Sequence, residues 1–102
     1  PLYNAYHKIS SVTKHSTTKD VFDVVGPVCE TADFFGKDRH LSANIGDLIV
    51  IEDTGAYGFV LSSNYNSRPR VAEYLISKNN VACIRRRETF SDIIGDEEDY
   101  LK

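Results

Sequence analysis

Two short stretches of the sequence place chemically useful side chains next to residues that form turns. The first is residues 26–33 (GPVCETAD), where a thiol and a carboxylate follow a Gly-Pro pair that ends the apolar run 21–25. The second is residues 54–58 (TGAYG), which follow the continuous apolar run 48–51. That run predicts a fully buried strand. Both stretches are therefore predicted to be loops that open from the end of a strand.

Cys29 in the first stretch can be interpreted in two ways, as a buried structural residue or as an exposed functional thiol. A free cysteine is usually a small buried hydrophobic group, whereas a position beside Glu30 on a Gly-Pro turn favours an exposed, functional thiol. A neighbouring carboxylate disfavours the negatively charged thiolate. The thiol is therefore better suited to donate a proton than to act as a nucleophile. Glu30 by itself would be interpreted as a surface carboxylate.

Tyr57 is the corresponding side chain of the second stretch. Asp53 or Thr54 is predicted to be the N-cap of a short helix over roughly residues 55–62. Tyr57 would then lie in the first helical turn, where backbone N–H groups lack intrahelical partners and attract phosphate and other anions. By itself Tyr57 would be interpreted as a half-buried aromatic residue whose hydroxyl group finds a local partner.

The composition indicates one domain of ordinary polarity. The 102 residues are 41% hydrophobic and 26% charged, and the net charge of −3 gives no general attraction to nucleic acid. We predict a domain at residues 1–95 and a solvated acidic tail at residues 96–102. No membrane-spanning run or signal peptide is found. Cys29 and Cys83 make no disulfide framework, which favours a reducing, cytoplasmic location.

The alternation of apolar runs and turn residues predicts a mainly β fold. Turn signals about every 8 to 12 residues favour a Greek-key-like β-barrel or sandwich with one or two short helices. The predicted strands cover residues 7–12, 21–25, 48–51, 71–76 and 81–86.

The segments that connect these strands are predicted from their turn residues. Residues 77–80 (SKNN) should form a tight hairpin, because asparagine tolerates a positive φ. Residues 34–40 are predicted to be irregular. A helical turn over residues 88–94 should begin at a cap formed by Thr89 or Ser91.

Several further residues are predicted to be structural. The histidines lack metal-ligand spacing, so no metal site is predicted; they are His7, His15 and His40. Arginines 85–87 point alternately to opposite faces of a strand, and such a run is expected to be solvated or salt-bridged. Cys83 lies between apolar neighbours and is expected in the core.

The two stretches together resemble the C-terminal domain of the diaminopimelate decarboxylase family, which belongs to the fold-type III pyridoxal phosphate-dependent decarboxylases. The resemblance rests on GPVCETAD (26–33) followed by GDLIVIEDTGAYGFVLSSNYNSRPRVAE (46–73), and it covers most of the chain. It implies that the whole enzyme uses pyridoxal 5'-phosphate to convert meso-2,6-diaminopimelate to L-lysine and CO2, the last step of lysine biosynthesis. Arg68 and Arg70 belong to this signature and are expected to stabilise a loop or an interface.

The resemblance also assigns roles to four side chains. Cys29 matches a general acid that protonates the substrate carbon after CO2 leaves, and Glu30 matches a contact to the substrate. Both would be delivered across a dimer interface into the partner's active site, so a homodimer is implied. Tyr57 matches a contact to the cofactor phosphate and to the edge of the substrate site. Tyr3 matches a substrate-contacting tyrosine near the start of the domain.

The sequence is expected to be part of a longer protein. It starts at Pro1 and contains no methionine. The resemblance implies an N-terminal β/α barrel domain that carries the lysine holding the cofactor. This chain alone is therefore expected to be inactive.

Two alternatives to this function remain open from the sequence. The first is the same domain of a sibling decarboxylase that acts on ornithine, arginine or carboxynorspermidine. The order Cys29-Glu30 and the segment 64–70 favour diaminopimelate. The second alternative is a free-standing β-barrel module that binds single-stranded nucleic acid through Tyr65 and residues 85–87. The negative net charge opposes this alternative.

Overall fold

The structure is a computed structural model that describes residues 5–14 and 18–101. The chain divides into two compact units, Pro1–Thr54 and Gly55–Lys102. Tyr3, the predicted substrate contact, and His15 lie outside the described residues.

The first unit contains two antiparallel strand pairs. Strand β1 (Ile9–Ser11) pairs with β4 (Ile49–Ile51), and β2 (Asp20–Val25) pairs with β3 (Phe34–Leu41). These pairs confirm the strands predicted at residues 7–12, 21–25 and 48–51. The burial predicted for the last of them is wrong, because Val50 at the middle of β4 is 43% exposed.

Strand β3 corrects the prediction that residues 34–40 are irregular, and it is the longest strand described. Its regularity is interrupted where Asp23 of β2 stands opposite an extra residue of β3, a β-bulge. Asp38 adopts a positive φ of 52° there. The Asp23 Oδ1 atom accepts a hydrogen bond from the Asp38 N–H at 3.0 Å. The sequence does not show the alternation typical of a strand, because residues 36–39 are a glycine and three charged residues. The bulge also shifts the alternation by one residue.

Little apolar surface is buried in the first unit. Ile9 at 8% exposure and Leu41 at 6% are the buried apolar residues in the described part of the chain. Polar contacts join the two strand pairs around them. Ser11 Oγ donates to the Ser42 carbonyl at 2.7 Å, and Arg39 Nη1 donates to the His7 carbonyl at 2.8 Å.

The second unit is built on a hairpin of β5 (Glu73–Ser77) and β6 (Asn80–Arg85). Ser77 pairs with Asn80, which confirms the tight turn predicted over residues 77–80. The positive φ that the turn requires is taken by Lys78, at 53°, and not by an asparagine as predicted.

Helical structure in the second unit is short. Helix α1 (Phe90–Ile94) begins at the predicted cap Thr89, whose side chain accepts from the Asp92 N–H while the Asp92 side chain accepts from the Thr89 N–H. Two 3-10 turns cover Tyr65–Ser67 and Glu98–Tyr100, the second within the exposed acidic segment.

The helix predicted over residues 55–62 is wrong. The segment forms successive turns, with hydrogen bonds from the Leu61 N–H to the Tyr57 carbonyl at 3.1 Å and from the Ser62 N–H to the Phe59 carbonyl at 2.9 Å. Gly55 and Gly58 disfavour a continuous helix. The predicted cap Asp53 has a φ of 59°, outside the extended region that an N-cap requires.

The described residues therefore confirm a mainly β fold with one short α-helix. Their strands form three two-stranded sheets and do not close into a barrel. In residues 5–14 and 18–101, no helix combines the length and the apolar character needed to cross a membrane.

Asp92 connects the start of α1 to the strand before it. Its Oδ2 atom accepts from the Thr89 N–H at 2.7 Å, and the Arg86 guanidinium donates to both carboxylate oxygens at 2.6 and 2.8 Å. The hydrogen bond from Arg86, followed by that from Thr89, holds the pKa of Asp92 well below its ordinary value.

We expect this contact to appear in the pH dependence of stability. Because its pKa is lower in the folded state, ionised Asp92 stabilises the fold above about pH 4, and this contribution is lost as the pH falls through the folded-state pKa. In urea unfolding, Asp92→Asn should lower the midpoint at about pH 7 and lower it less at about pH 3. Asp96→Asn, in the exposed segment after α1, is the matched control. An equal loss for Asp92→Asn at both pH values would contradict the prediction.

Candidate active site

Cys29 and Glu30 lie in the loop that connects β2 to β3. Backbone hydrogen bonds close this loop, from the Gly26 N–H to the Asp33 carbonyl at 2.8 Å and from the Asp33 N–H to the Glu30 carbonyl at 2.9 Å. The thiol of Cys29 is exposed, as predicted, and the side chain of Glu30 is exposed beside it. The hairpin thus presents a thiol and a carboxylate on adjacent residues.

Asp33 is a part of this loop whose role the sequence interpretation missed. Its Oδ2 atom accepts from the Val28 N–H at 3.0 Å. Its carboxylate also occupies the space beside Gly26 that a side chain there would need. A carboxylate at the last position of the stretch 26–33, directly before the next strand, was the available signal.

The carboxylate of Glu30 makes two contacts within its own loop. Its Oε1 atom lies 3.3 Å from both the Thr31 Oγ1 and Ala32 N donors. Both distances are at the long end of the hydrogen-bond range, so these are weak bonds. The carboxylate can therefore exchange them for a better donor at little cost.

Tyr57 lies in the second unit, in the turns that replace the predicted helix. Its side chain is 69% exposed, and its hydroxyl group has no hydrogen-bond partner among the described residues. The expected local partner is therefore not found there, and without the helix Tyr57 does not lie at a helix N-terminus. An exposed phenol remains a hydrogen-bond donor suited to an anion.

Arg70 holds these turns in place. Its Nη2 atom donates to the Phe59 carbonyl at 2.7 Å and its Nε atom donates to Ser62 Oγ at 2.9 Å. Its guanidinium carbon lies 3.8 Å from the centre of the Phe59 ring, and that of Arg85 lies 4.2 Å from it. The contacts confirm a loop-stabilising role for Arg70.

Glu88 connects Arg70 to the rest of its loop. One carboxylate oxygen accepts from the Arg70 N–H and from Asn64 Nδ2, both at 2.7 Å. The bond from the Arg70 backbone and then that from Asn64 lower the pKa of Glu88. The Asn64 amide also donates to the Arg68 carbonyl at 3.0 Å. The signature segment 64–70 is therefore held as a fixed loop.

The arginine run pairs with acidic residues, as predicted for a salt-bridged run. Arg85 pairs with Glu73 and Arg86 with Asp92. The hydrogen bond that Arg86 donates to Asp92 raises the pKa of Arg86. These pairs leave little unbalanced positive charge for nucleic acid. Cys83 corrects a prediction, because it is exposed and not in the core: every residue of β6 is exposed.

Comparison with known proteins identifies relatives of this chain. Residues 1–55 match the family model described as the C-terminal sheet domain of pyridoxal-dependent decarboxylases. The chain is 47% identical over 92 residues to the diaminopimelate decarboxylase of Vibrio cholerae, covering 90% of this chain and 22% of that protein. It is 48% identical over 98 residues to that of Zymomonas mobilis, covering 95% and 23%.

Solved structures give the same result. The diaminopimelate decarboxylase of Helicobacter pylori complexed with L-lysine matches with a TM-score of 0.84 and 43% identity, over 97% of this chain and 25% of that one. The enzyme from M. jannaschii in complex with L-lysine matches with a TM-score of 0.85 and 41% identity, over 94% and 22%. The chain thus spans about a quarter of the length of the relatives it matches.

Replacing Arg70 should test how much the loop depends on its guanidinium group. A lysine lacks the planar fork that makes both hydrogen bonds while it stacks on Phe59, so Arg70→Lys should destabilise the protein by roughly 1.5–3 kcal/mol. The measurement is urea unfolding. The exposed Arg68→Lys is the matched control and should change stability by less than about 0.5 kcal/mol. Equal stability of the two variants would show that the contacts of Arg70 contribute nothing.

Proposed function

Because the chain belongs to the pyridoxal-dependent decarboxylases, whose C-terminal sheet domain it matches, we propose that it forms this domain of a diaminopimelate decarboxylase. The whole enzyme would be a carboxy-lyase that converts meso-diaminopimelate to L-lysine and CO2 in the cytoplasm. The single observation that supports the proposal most directly is the exposed pair Cys29-Glu30 on the closed hairpin loop. Relatives named for this activity, two of them solved with L-lysine, support the choice of substrate.

Cys29 is the proposed proton donor. Its thiol is exposed on a loop whose backbone is hydrogen-bonded at both ends, so it can be presented to a substrate in a defined position. Pyridoxal phosphate, when bound, supplies the sink for the electron pair that the departing CO2 leaves on the substrate carbon. Cys29 Sγ–H gives its proton to that carbon, and a new C–H bond replaces the C–C bond that was broken.

Glu30 is the proposed substrate contact beside this donor. Its carboxylate is exposed, and its two bonds within the loop are weak, at 3.3 Å. A substrate ammonium group is a stronger partner for a carboxylate than a neutral hydroxyl or amide donor. Glu30 would therefore turn to the substrate and orient it relative to the thiol.

Tyr57 is the proposed contact to the cofactor phosphate and to the edge of the substrate site. A phosphate group suits this residue, because the tyrosine hydroxyl is a neutral hydrogen-bond donor and the side chain is exposed. No described residue accepts a hydrogen bond from that hydroxyl. Tyr3 is proposed as a further substrate contact on the resemblance alone, since it lies outside the described residues.

The proposed partners are those that the family resemblance implies, and the size of the chain relative to its relatives supports the first of them. Since the chain spans about a quarter of their length, an N-terminal β/α barrel domain of the same protein would hold the cofactor, and the chain alone would be inactive. A homodimer would deliver Cys29 and Glu30 to the partner's active site. The alternative of a sibling decarboxylase is less well supported, because the relatives at 44–48% identity are named diaminopimelate decarboxylases.

Removing the hydroxyl group of Tyr57 tests the cofactor contact. In the full-length enzyme, Tyr57→Phe should weaken cofactor binding roughly tenfold to a hundredfold, the value of one hydrogen bond to a charged group. Titration of the apoenzyme with pyridoxal phosphate gives the affinity. Tyr65→Phe, another exposed tyrosine of the same unit, is the matched control. Unchanged affinity in Tyr57→Phe would remove Tyr57 from the site.

Removing the thiol of Cys29 tests the proton donor. In the full-length enzyme, Cys29→Ala should lower kcat by about 10²–10⁴-fold, the usual contribution of a general acid. The yield of lysine per CO2 released should also fall below one, because CO2 leaves before the proton is added and protonation at an atom other than the substrate carbon does not form lysine. Glu30→Gln should instead raise KM most, because it removes binding of the substrate.

The second cysteine provides the matched control for this experiment. Cys83 is also exposed but lies on β6, away from the loop in sequence and in the other unit. Cys83→Ala should keep the parental kcat and a lysine yield of one. Near-normal turnover with a full yield of lysine in Cys29→Ala would refute the assignment of Cys29.

A further inference from the structure

The loop between β2 and β3 contains two carboxylates in different surroundings. Glu30 is exposed, and its bonds are 3.3 Å long. Asp33 is half-buried and its carboxylate is turned into the loop. The two carboxylates therefore differ in what they can bind. That of Glu30 is available to a ligand, and that of Asp33 makes a hydrogen bond within the loop.

Asp33 holds the loop through both its backbone and its side chain. The backbone carbonyl accepts from the Gly26 N–H at 2.8 Å and the backbone N–H donates to the Glu30 carbonyl at 2.9 Å. The side-chain Oδ2 atom accepts from the Val28 N–H at 3.0 Å. Val28 directly precedes Cys29, so the bonded peptide group lies one residue from the thiol.

Gly26 provides the space that this carboxylate needs. A Cβ atom at position 26 would lie 2.0 Å from Asp33 Oδ1 and 2.1 Å from Asp33 Oδ2, so any larger residue there would force the Asp33 carboxylate to move. The φ of Gly26 does not lie in the left-handed region, so the requirement for glycine comes from space and not from the backbone angle. Gly26 and Asp33 thus act together across the base of the loop.

We propose that Asp33 is the positioning residue of the Cys29–Glu30 loop. Its carboxylate holds the Val28 N–H and so fixes the peptide chain from which the Cys29 thiol projects. The inference rests on the proposed function of Cys29 as proton donor, and Asp33 itself contacts neither substrate nor cofactor. Because proton transfer depends on a closely defined geometry, the loss of this bond affects turnover more than substrate binding.

Two variants of Asp33 separate the hydrogen bond from the shape of the side chain. Asp33→Ala removes the acceptor, and in the full-length enzyme it should lower kcat about tenfold to a hundredfold with little change in KM. Asp33→Asn keeps an acceptor oxygen in the same place and should recover most of that loss. A fall in kcat for Asp33→Ala that Asp33→Asn does not recover at all would overturn the proposal.

Asp23 is the matched control in the same hairpin. Its carboxylate also accepts a backbone N–H at 3.0 Å, that of Asp38, but at the bulge of β3 and not in the Cys29 loop. Asp23→Ala should therefore destabilise the strand pair while kcat stays within about twofold of the parent. A fall in kcat equal to that of Asp33→Ala would show that both act only through stability.

Hydrogen exchange tests the contact without using activity. In the full-length protein, exchange of peptides that cover residues 26–33, measured by mass spectrometry, should be faster in Asp33→Ala and close to the parent in Asp33→Asn and Asp23→Ala. Unchanged exchange in Asp33→Ala overturns the proposal whatever the role of Cys29.

A double variant tests the link to the thiol. When Asp33→Ala is added to Cys29→Ala, kcat should change by less than about twofold, because the group that Asp33 positions is already gone. A full additional loss overturns the link. Normal turnover in Cys29→Ala alone refutes the proposed function instead, and exchange over residues 26–33 then still decides whether Asp33 holds the loop.

Discussion

The irregular segments of both units depend on one interaction, a carboxylate oxygen that accepts a backbone N–H. The strands are short, so many backbone donors lie outside the strand pairs and need another partner. A charged acceptor makes such a bond stronger than a neutral one. The pairs are Asp23 with Asp38, Asp33 with Val28, Asp47 with Asn44, Glu88 with Arg70 and Asp92 with Thr89. These five of the 15 acidic residues of the chain thus accept hydrogen bonds from its own backbone.

Apolar burial contributes little by comparison. Ile9 and Leu41 are the buried apolar residues of the described part, whereas apolar strand residues such as Val50 and Ile76 are exposed at 43% and 72%. Strands with apolar residues on both faces are typical of sheets that are covered on both sides. This distribution is in keeping with a domain that packs against the rest of a longer protein, as the proposed function requires.

Five of the six described strands were predictable because each of the five has a local signal. Strands β2 and β6 are predicted by the apolar runs at 21–25 and 81–86. The hairpin between β5 and β6 is predicted by its turn residues. Strand β3 was missed because Gly36 and the charged residues after it break the alternation, and the bulge opposite Asp23 is a property of two paired strands. No local pattern in one strand contains that information.

The candidate site, too, was predictable from the sequence only in part. The exposed Cys29-Glu30 turn followed from Gly26 and Pro27 in the sequence. The role of Asp33 did not, because it depends on the carboxylate reaching back across the loop to Val28 and Gly26. The helix expected around Tyr57 is absent for two reasons: Gly55 and Gly58 disfavour it, and the contacts of Arg70, which lies 8 and 11 residues further along the chain than its partners, hold a series of turns there.

The β5–β6 hairpin has a consequence for handling the protein. Both outer edges of a two-stranded sheet carry backbone groups that can pair with a strand of another molecule, and Tyr74, Leu75 and Ile76 are exposed along one of the two strands. Such an edge is a template for intermolecular strand addition. A hairpin with such edges can therefore pair with a second copy of itself, and this pairing would lower the solubility of the protein as its concentration rises.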